Sequence, residues 1–211
     1  MFTTPFSLYY CFDLIGIAVF AISGALTAGR KGLDLLGIII ISIVTSVGGG
    51  TLRDILLDRT PIFWINDPGY LIVIIVASFA TLWYVRKNQP PFKALLVADA
   101  LGLAFFTLMG TRIAATMNLH PVILVVMGTI TGVAGGVFRD ILSAEVPLIL
   151  RRDLYATAAI GGSVVYLLLE YLGFGLLLSY LGGFFIVLLL RSLAIIWGIR
   201  LPVFRLPENP S

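Results

Sequence analysis

Apolar residues fill this chain in long blocks without two-residue alternation, and polar residues gather in short stretches between the blocks. A block able to cross a bilayer as a helix needs about 20 apolar residues. Seven such spans are predicted, at roughly 9–29, 34–59, 69–85, 95–116, 121–144, 154–171 and 174–198. The expected fold class is an all-α membrane protein of seven transmembrane helices, forming a single transmembrane domain over residues 1–211. No Lys or Arg precedes Arg30, so the first block lacks the basic flank of a cleaved leader and is expected to remain as a span.

The connections are short and their charge is lopsided. Arg30, Lys31, Arg86, Lys87, Lys93, Arg151, Arg152, Arg200 and Arg205 all fall on one side of a seven-span chain. The connections around Asn66–Pro68, Asn118–His120 and Leu172-Gly173 are nearly free of Lys and Arg. Basic loops favour the cytoplasm, so the N-terminus is expected outside and the C-terminus inside, in a prokaryotic plasma (inner) membrane.

One polar motif recurs inside the oily blocks. Gly48-Gly49-Gly50-Thr51-Leu52-Arg53-Asp54 returns as Ala134-Gly135-Gly136-Val137-Phe138-Arg139-Asp140, 86 residues later. Sliding the chain by 86 aligns Asp13 to Pro61 with Asp99 to Pro147 without a gap, and 16 of the 49 pairs are identical, far more than chance supplies. Tyr70 and Tyr155 match one register off. The first three-helix repeat is assigned to 6–90, the second to 91–172 and the seventh helix to 173–200. Three spans is an odd number, so the second unit must enter the membrane from the opposite side. An inverted 3+3 repeat plus one helix is the architecture of transport proteins whose sites lie between the halves, near the midplane.

Glycine clusters expose backbone and admit unusual dihedrals, so helices 2 and 5 are expected to be broken at Gly48, Gly49 and Gly50 and at Gly135 and Gly136. The first break falls about 15 residues into its span, roughly 20 Å along it. Backbone groups freed there are tolerable only inside protein or facing water, where they can hold ions. Arg53, Asp54, Arg139 and Asp140 carry charge where charge is costly. Two roles stand open for them: structural ion pairs that lock helices, or groups that line or gate a path. Neighbouring helix positions point about 100° apart, so pairing across the repeats is also open. Asp13 and Asp99, at equivalent positions, are either solvated near span ends or inward-facing carboxylates at two mouths, where they would concentrate cations.

Thr51, with Ser42, Thr45, Ser46, Thr129 and Thr131, offers a polar lining, although hydroxyls in membrane helices often bond their own i−4 carbonyl. Asp58 and Arg59 are expected to be solvated. Arg112, Glu170 and Arg191 read as interface anchors, and His120 as an interface residue. Trp64, Trp83, Tyr84 and Trp197 sit near span ends as an aromatic belt.

Composition agrees with this picture and removes alternatives. The chain is 59% hydrophobic and 12% charged, with a mean hydropathy of +1.05, far from the roughly one-quarter charged content of soluble domains. A net charge of +3, dispersed along the chain, gives no footprint for nucleic acid. The lone Cys11 forms no intrachain disulfide and no Cys-cluster metal site. No nucleotide loop, Ser/His/Asp set or catalytic carboxylate pair can be assembled, so neither an enzyme nor a cofactor or metal site is expected.

The duplicated motif, the 3+3+1 layout and the length resemble the prokaryotic trimeric intracellular cation (TRIC) channels, whose repeated unit is also catalogued as a glycine transporter domain. The resemblance runs from about Phe6 to Ile199. It implies a homotrimer with one pore per subunit, lined by kinked helices 2 and 5 and selective for monovalent cations, K⁺ above all. Gly48, Gly49, Gly50, Arg53, Asp54, Gly135, Gly136, Arg139 and Asp140 would be its pore elements. Ala134 departs from the pattern, standing where a third glycine would be. The lysine-containing lipid motif of animal members is absent from span 2, so phosphoinositide control is not implied. The readings to be weighed are therefore a passive cation channel, a secondary transporter of a small zwitterion such as glycine, and a scaffold with a dry core.

Overall fold

The computed structural model describes residues 8–88, 92–151 and 154–199. Among them the chain forms α1 (Leu8–Arg30), α2 (Leu35–Leu56), α3 (Gly69–Lys87), α4 (Phe92–Ala115), α5 (Pro121–Leu142), α6 (Ala156–Tyr171) and α7 (Leu176–Trp197), with one 3-10 turn at Leu148–Leu150. All except α6 are long and apolar enough to cross a membrane. At 16 residues α6 spans about 24 Å, shorter than the apolar block suggested, because the chain approaches it through a buried, non-helical Tyr155. Arg152, Asp153, Arg200 and Arg205, and the connection over Gln89, Pro90 and Pro91, lie outside the described residues.

Local chemistry sets the helix ends. Asp34 caps α2 by accepting from Gly37 N at 2.8 Å. Proline opens α5 at the position where its missing N–H is harmless. Helices α2 and α5 stop in the same way. The backbone turns left-handed at Asp58 and Ala144, φ 50° and 52°, and Arg59 N and Glu145 N each reach back to the carbonyls of Asp54 and Asp140 at 2.8 Å. That Schellman-type closure satisfies the last carbonyls and ends α2 three residues before the apolar block does.

The core is built on pairs of equivalent residues. Phe20 and Phe106, related by the 86-residue shift, stack with centroids 5.1 Å apart and planes 18° from parallel. A Cβ on Gly102 would strike the Phe20 ring, and one on Gly16 would lie 2.9 Å from Phe105 Cβ. Reciprocally at the α2–α5 crossing, a Cβ on Gly49 would run into the Thr131 carbonyl, and one on Gly135 into the Thr45 carbonyl. Thr45 and Thr131 are themselves equivalent, so an approximate twofold axis passes between α1 and α4 and between α2 and α5. Dispersion and close packing, not burial from water, hold helices together in a bilayer. Glycine at the crossings permits the approach.

This corrects the expectation that the glycines break helices 2 and 5. The chain stays helical through Gly48–Gly50 and through Gly135-Gly136. No proline interrupts either stretch, and the space freed by the missing side chains is taken by the opposite helix at Gly48, Gly49 and Gly135, by Phe63 at Gly50 and by Tyr155 at Gly136. Gly48 shows the same economy of space: a Cβ there would lie 2.7 Å from the Phe138 ring. Phe138 corresponds to Leu52 in the first unit, so Ala134, the departure from the glycine pattern, has a smaller counterpart to Phe138 on its side.

Candidate functional site

The two copies of Arg-Asp build two half-sites, one toward each end of the helix bundle. In the first, Arg53 Nε donates to Asp54 Oδ1 at 2.9 Å, and Arg59 Nη1 donates to the same oxygen at 2.9 Å. Asp54 Oδ2 accepts from Phe63 N at 3.0 Å. In the second, Arg139 Nε donates to Asp140 Oδ1 at 2.8 Å, and Leu148 N donates to Asp140 Oδ2 at 2.9 Å. Each carboxylate therefore pairs with the arginine before it and holds the returning loop. The pairs form within each repeat rather than across the axis, and Asp54 is only 1% exposed. All these acceptors are occupied, which is how a charge in low dielectric is made tolerable.

The second carboxylate of each half-site also has an equivalent tyrosine. Tyr70 Oη donates to Asp13 Oδ2 at 2.7 Å, and Tyr155 Oη donates to Asp99 Oδ1 at 3.3 Å. Here the mirror fails. Asp99 is fully buried and is bound by Arg139 Nη1 at 2.7 Å, a nitrogen that also donates to Ser23 Oγ. Asp13 is half-buried and has no ion pair among the described residues. It faces a cavity of about 440 Å³, lined also by Arg53, Arg59, Asp67, Tyr70 and Arg112. The first half-site is thus open to this cavity at the end where α1 begins, and the second is closed by ion pairs. Gly136 makes that closure possible, since a Cβ there would lie 2.7 Å from Tyr155 Oη and 3.3 Å from Asp99 Oδ1.

Other sequence-derived expectations fare differently. Asp99 is not a solvated headgroup residue. Arg191 is no interface anchor: it is fully buried, 4.7 Å over the Tyr155 ring, because Asp99 offers it an anion inside the bundle. Arg59 stays partly exposed, as expected, and also folds back onto Asp54. Arg112 turns inward over Tyr9, 3.2 Å from the ring centroid, and lines the cavity. Asp58 is exposed as expected. Thr45, Thr51, Thr129 and Thr131 all donate to their i−4 carbonyls, at 2.6 to 2.8 Å, so their hydroxyl protons are occupied. Thr51 Oγ1 in turn accepts from Trp64 Nε1 at 3.0 Å, which draws Trp64 out of the aromatic belt. Trp83, Tyr84 and Trp197 are exposed, as a belt requires. His120 caps α5 as an acceptor for Val122 N at 3.4 Å.

In the sequence Tyr70 and Tyr155 form only a weak match, one register off, which points to no role. Their signal is the same one-residue slip that separates Phe63 from Leu148 as loop donors. Ser23 carries no signal, because its repeat equivalent is Met109.

A family model described as "Glycine transporter" matches the chain twice, over residues 10–86 and 96–171. The chain is 45% identical over 204 residues to the UPF0126 inner membrane protein YadS of Escherichia coli, covering 96% of this chain and 99% of that one. Its fold matches a TRIC trimeric intracellular cation channel orthologue from Rhodobacter sphaeroides with a TM-score of 0.87 and 36% identity, over 91% of this chain and 99% of that one. A structure described as "Structural basis for conductance through TRIC cation channels" matches with a TM-score of 0.84 and 41% identity, over 96% and 100%. With its helices long enough to span and its relatives named as membrane proteins, this is a multi-pass membrane protein. The chain belongs to the prokaryotic TRIC channel family, the family whose model is described as "Glycine transporter".

Proposed function

We propose that this protein conducts monovalent cations, K⁺ foremost, passively across a prokaryotic inner membrane. One path per subunit is lined by α2 and α5, in a homotrimer with the N-terminus outside. The observation that carries the reading is the cavity of about 440 Å³ that leads to Asp13, a carboxylate with no ion pair within 4.0 Å among the described residues. Such a group lowers the energy of a cation inside a low-dielectric mouth. Asp99 is the equivalent second step, closed in this conformation by Arg139. Gly48, Gly49, Gly50, Gly135 and Gly136 hold α2 and α5 at crossing distance. Arg53-Asp54 and Arg139-Asp140 fix the shape of the two ends, and Thr51 completes the wall through Trp64. Two solved relatives are described as cation channels and one of these as trimeric, in agreement with the conducting unit and the assembly proposed.

A carrier for a small zwitterion such as glycine is the second reading, favoured by one observation: Asp13 and Arg53 line the same cavity, so an ammonium and a carboxylate would both find partners. Proteoliposomes separate the two. A channel releases K⁺ down its gradient at a rate that does not saturate at millimolar substrate and shows no counterflow. A carrier shows saturable glycine uptake that accelerates when glycine is loaded inside.

A further inference from the structure

The two half-sites differ in one charge that the repeat does not duplicate. Arg191 comes from α7, the helix outside both three-helix units, and its guanidinium lies 4.0 Å from Asp99 Oδ2. None of its three nitrogens has a hydrogen-bond partner among the described residues, and neither has Asp99 Oδ2. A charge taken from water and left without hydrogen bonds is unfavourable unless an anion holds it. Asp99 is the anion in reach.

Each half-site holds two carboxylates and two guanidiniums, but the second cation stands in a different place. In the first, Arg59 lies on Asp54, which Arg53 already pairs, and among the described residues Asp13 has only the Tyr70 hydroxyl as a hydrogen-bond partner. The residue equivalent to Arg59 is Glu145, which turns away to Lys31 and Arg151. In the second half-site the extra cation is Arg191, and it stands on Asp99, which Arg139 holds at 2.7 Å. Asp99 has two guanidiniums within 4.0 Å, and Asp13 has none that close among the described residues. A positive charge that close cancels most of the field a carboxylate offers to a passing cation.

We propose that Arg191 is the positioning residue that keeps the second half-site shut to cations, by occupying the free side of Asp99. This rests on the cation-conducting reading above. It gives α7 a task in conduction that neither three-helix unit can supply, and it explains why two near-identical half-sites are found in opposite states.

The test is planar-bilayer recording in symmetric KCl of wild type, Arg191→Gln, Arg191→Met and Arg191→Lys. Glutamine keeps a donor toward Asp99 and methionine keeps bulk over Tyr155, so that one survives whichever loss unfolds the chain. Time-averaged K⁺ current per channel is expected to rise about tenfold in the Gln and Met variants, equivalent to about 1.4 kcal/mol off the barrier. The Lys variant, which retains the positive charge beside Asp99, is expected to stay within about twofold of wild type. Gln and Met variants that conduct like wild type overturn the proposal, as does a Lys variant that rises as far as they do, since packing rather than charge would then be the cause. A folded wild type without cation current defeats the conducting reading instead, so the two failures are told apart.

Discussion

The α2–α5 crossing allows a prediction whose size follows from geometry. A methyl group on Gly49 would overlap the Thr131 carbonyl oxygen, with Gly135 N only 3.4 Å away. The obstacle is backbone held in a helix and cannot rotate aside, so the two helices must separate or slide. Overpacking of this kind destabilises by about 1–3 kcal/mol, and an unyielding obstacle places Gly49→Ala at the upper end. By the twofold relation Gly135→Ala, which meets the Thr45 carbonyl, should suffer equally. The control is Gly29→Ala. Gly29 is exposed, within α1, and a Cβ there meets nothing within 4 Å, so helix propensity should stabilise it by about 0.5–1 kcal/mol. Thermal melting of the purified protein in detergent should show Gly49→Ala and Gly135→Ala about 4–12 °C below wild type, with Gly29→Ala at or above it. A Gly49→Ala protein that melts with the Gly29→Ala control would refute the close-approach account of the motif.

Four further outcomes follow from the polar contacts. Asp13→Asn should leave the fold intact while lowering K⁺ current roughly threefold at low salt and less at high salt, because its field acts through an open cavity; Asp54→Asn instead strands the buried Arg53, and should lose about 3–5 kcal/mol of stability by the same melts. Tyr70→Phe removes a 2.7 Å bond to a carboxylate and Tyr155→Phe a 3.3 Å one, so chemical denaturation should find the first more damaging, by about 1 kcal/mol. On the loop after α5, hydrogen bonding from Lys31 and then its charge, with Arg151 beyond, hold the Glu145 carboxyl below its ordinary 4.5. Its folded-state value is depressed, so its contribution is fully present above about pH 4.5 and is lost as pH falls through the lowered value; Glu145→Gln should abolish that acid-side slope in melts taken across the window.

The architecture was legible because its two strongest signals are periodic: apolar blocks of bilayer length, and a repeat that keeps Asp13/Asp99, Gly49/Gly135 and Arg53-Asp54/Arg139-Asp140 at one spacing. The motif residues do meet in space. Their use was less legible. Glycine in a membrane helix can mean a break or a crossing, and only the position of Thr45 and Thr131 on the opposite helix decides for a crossing. Pairing of adjacent Arg and Asp depends on the closing turn at Asp58 and Ala144, which lets each side chain fold back along the helix end. Arg112 and Arg191, expected at the interface, turn inward for a shared reason. A long basic side chain near a span end can reach headgroups or turn inward, and the choice belongs to anions on other helices, distant in sequence.

The central claim is that the open first half-site admits cations to a path through the subunit. The most direct measurement is the reversal potential of unitary currents from wild type and Asp13→Asn in a planar bilayer under a KCl gradient. The account predicts reversal near the K⁺ equilibrium potential for wild type, with a smaller unitary current in Asp13→Asn. Reversal near the Cl⁻ potential, or currents indifferent to Asp13, would contradict it.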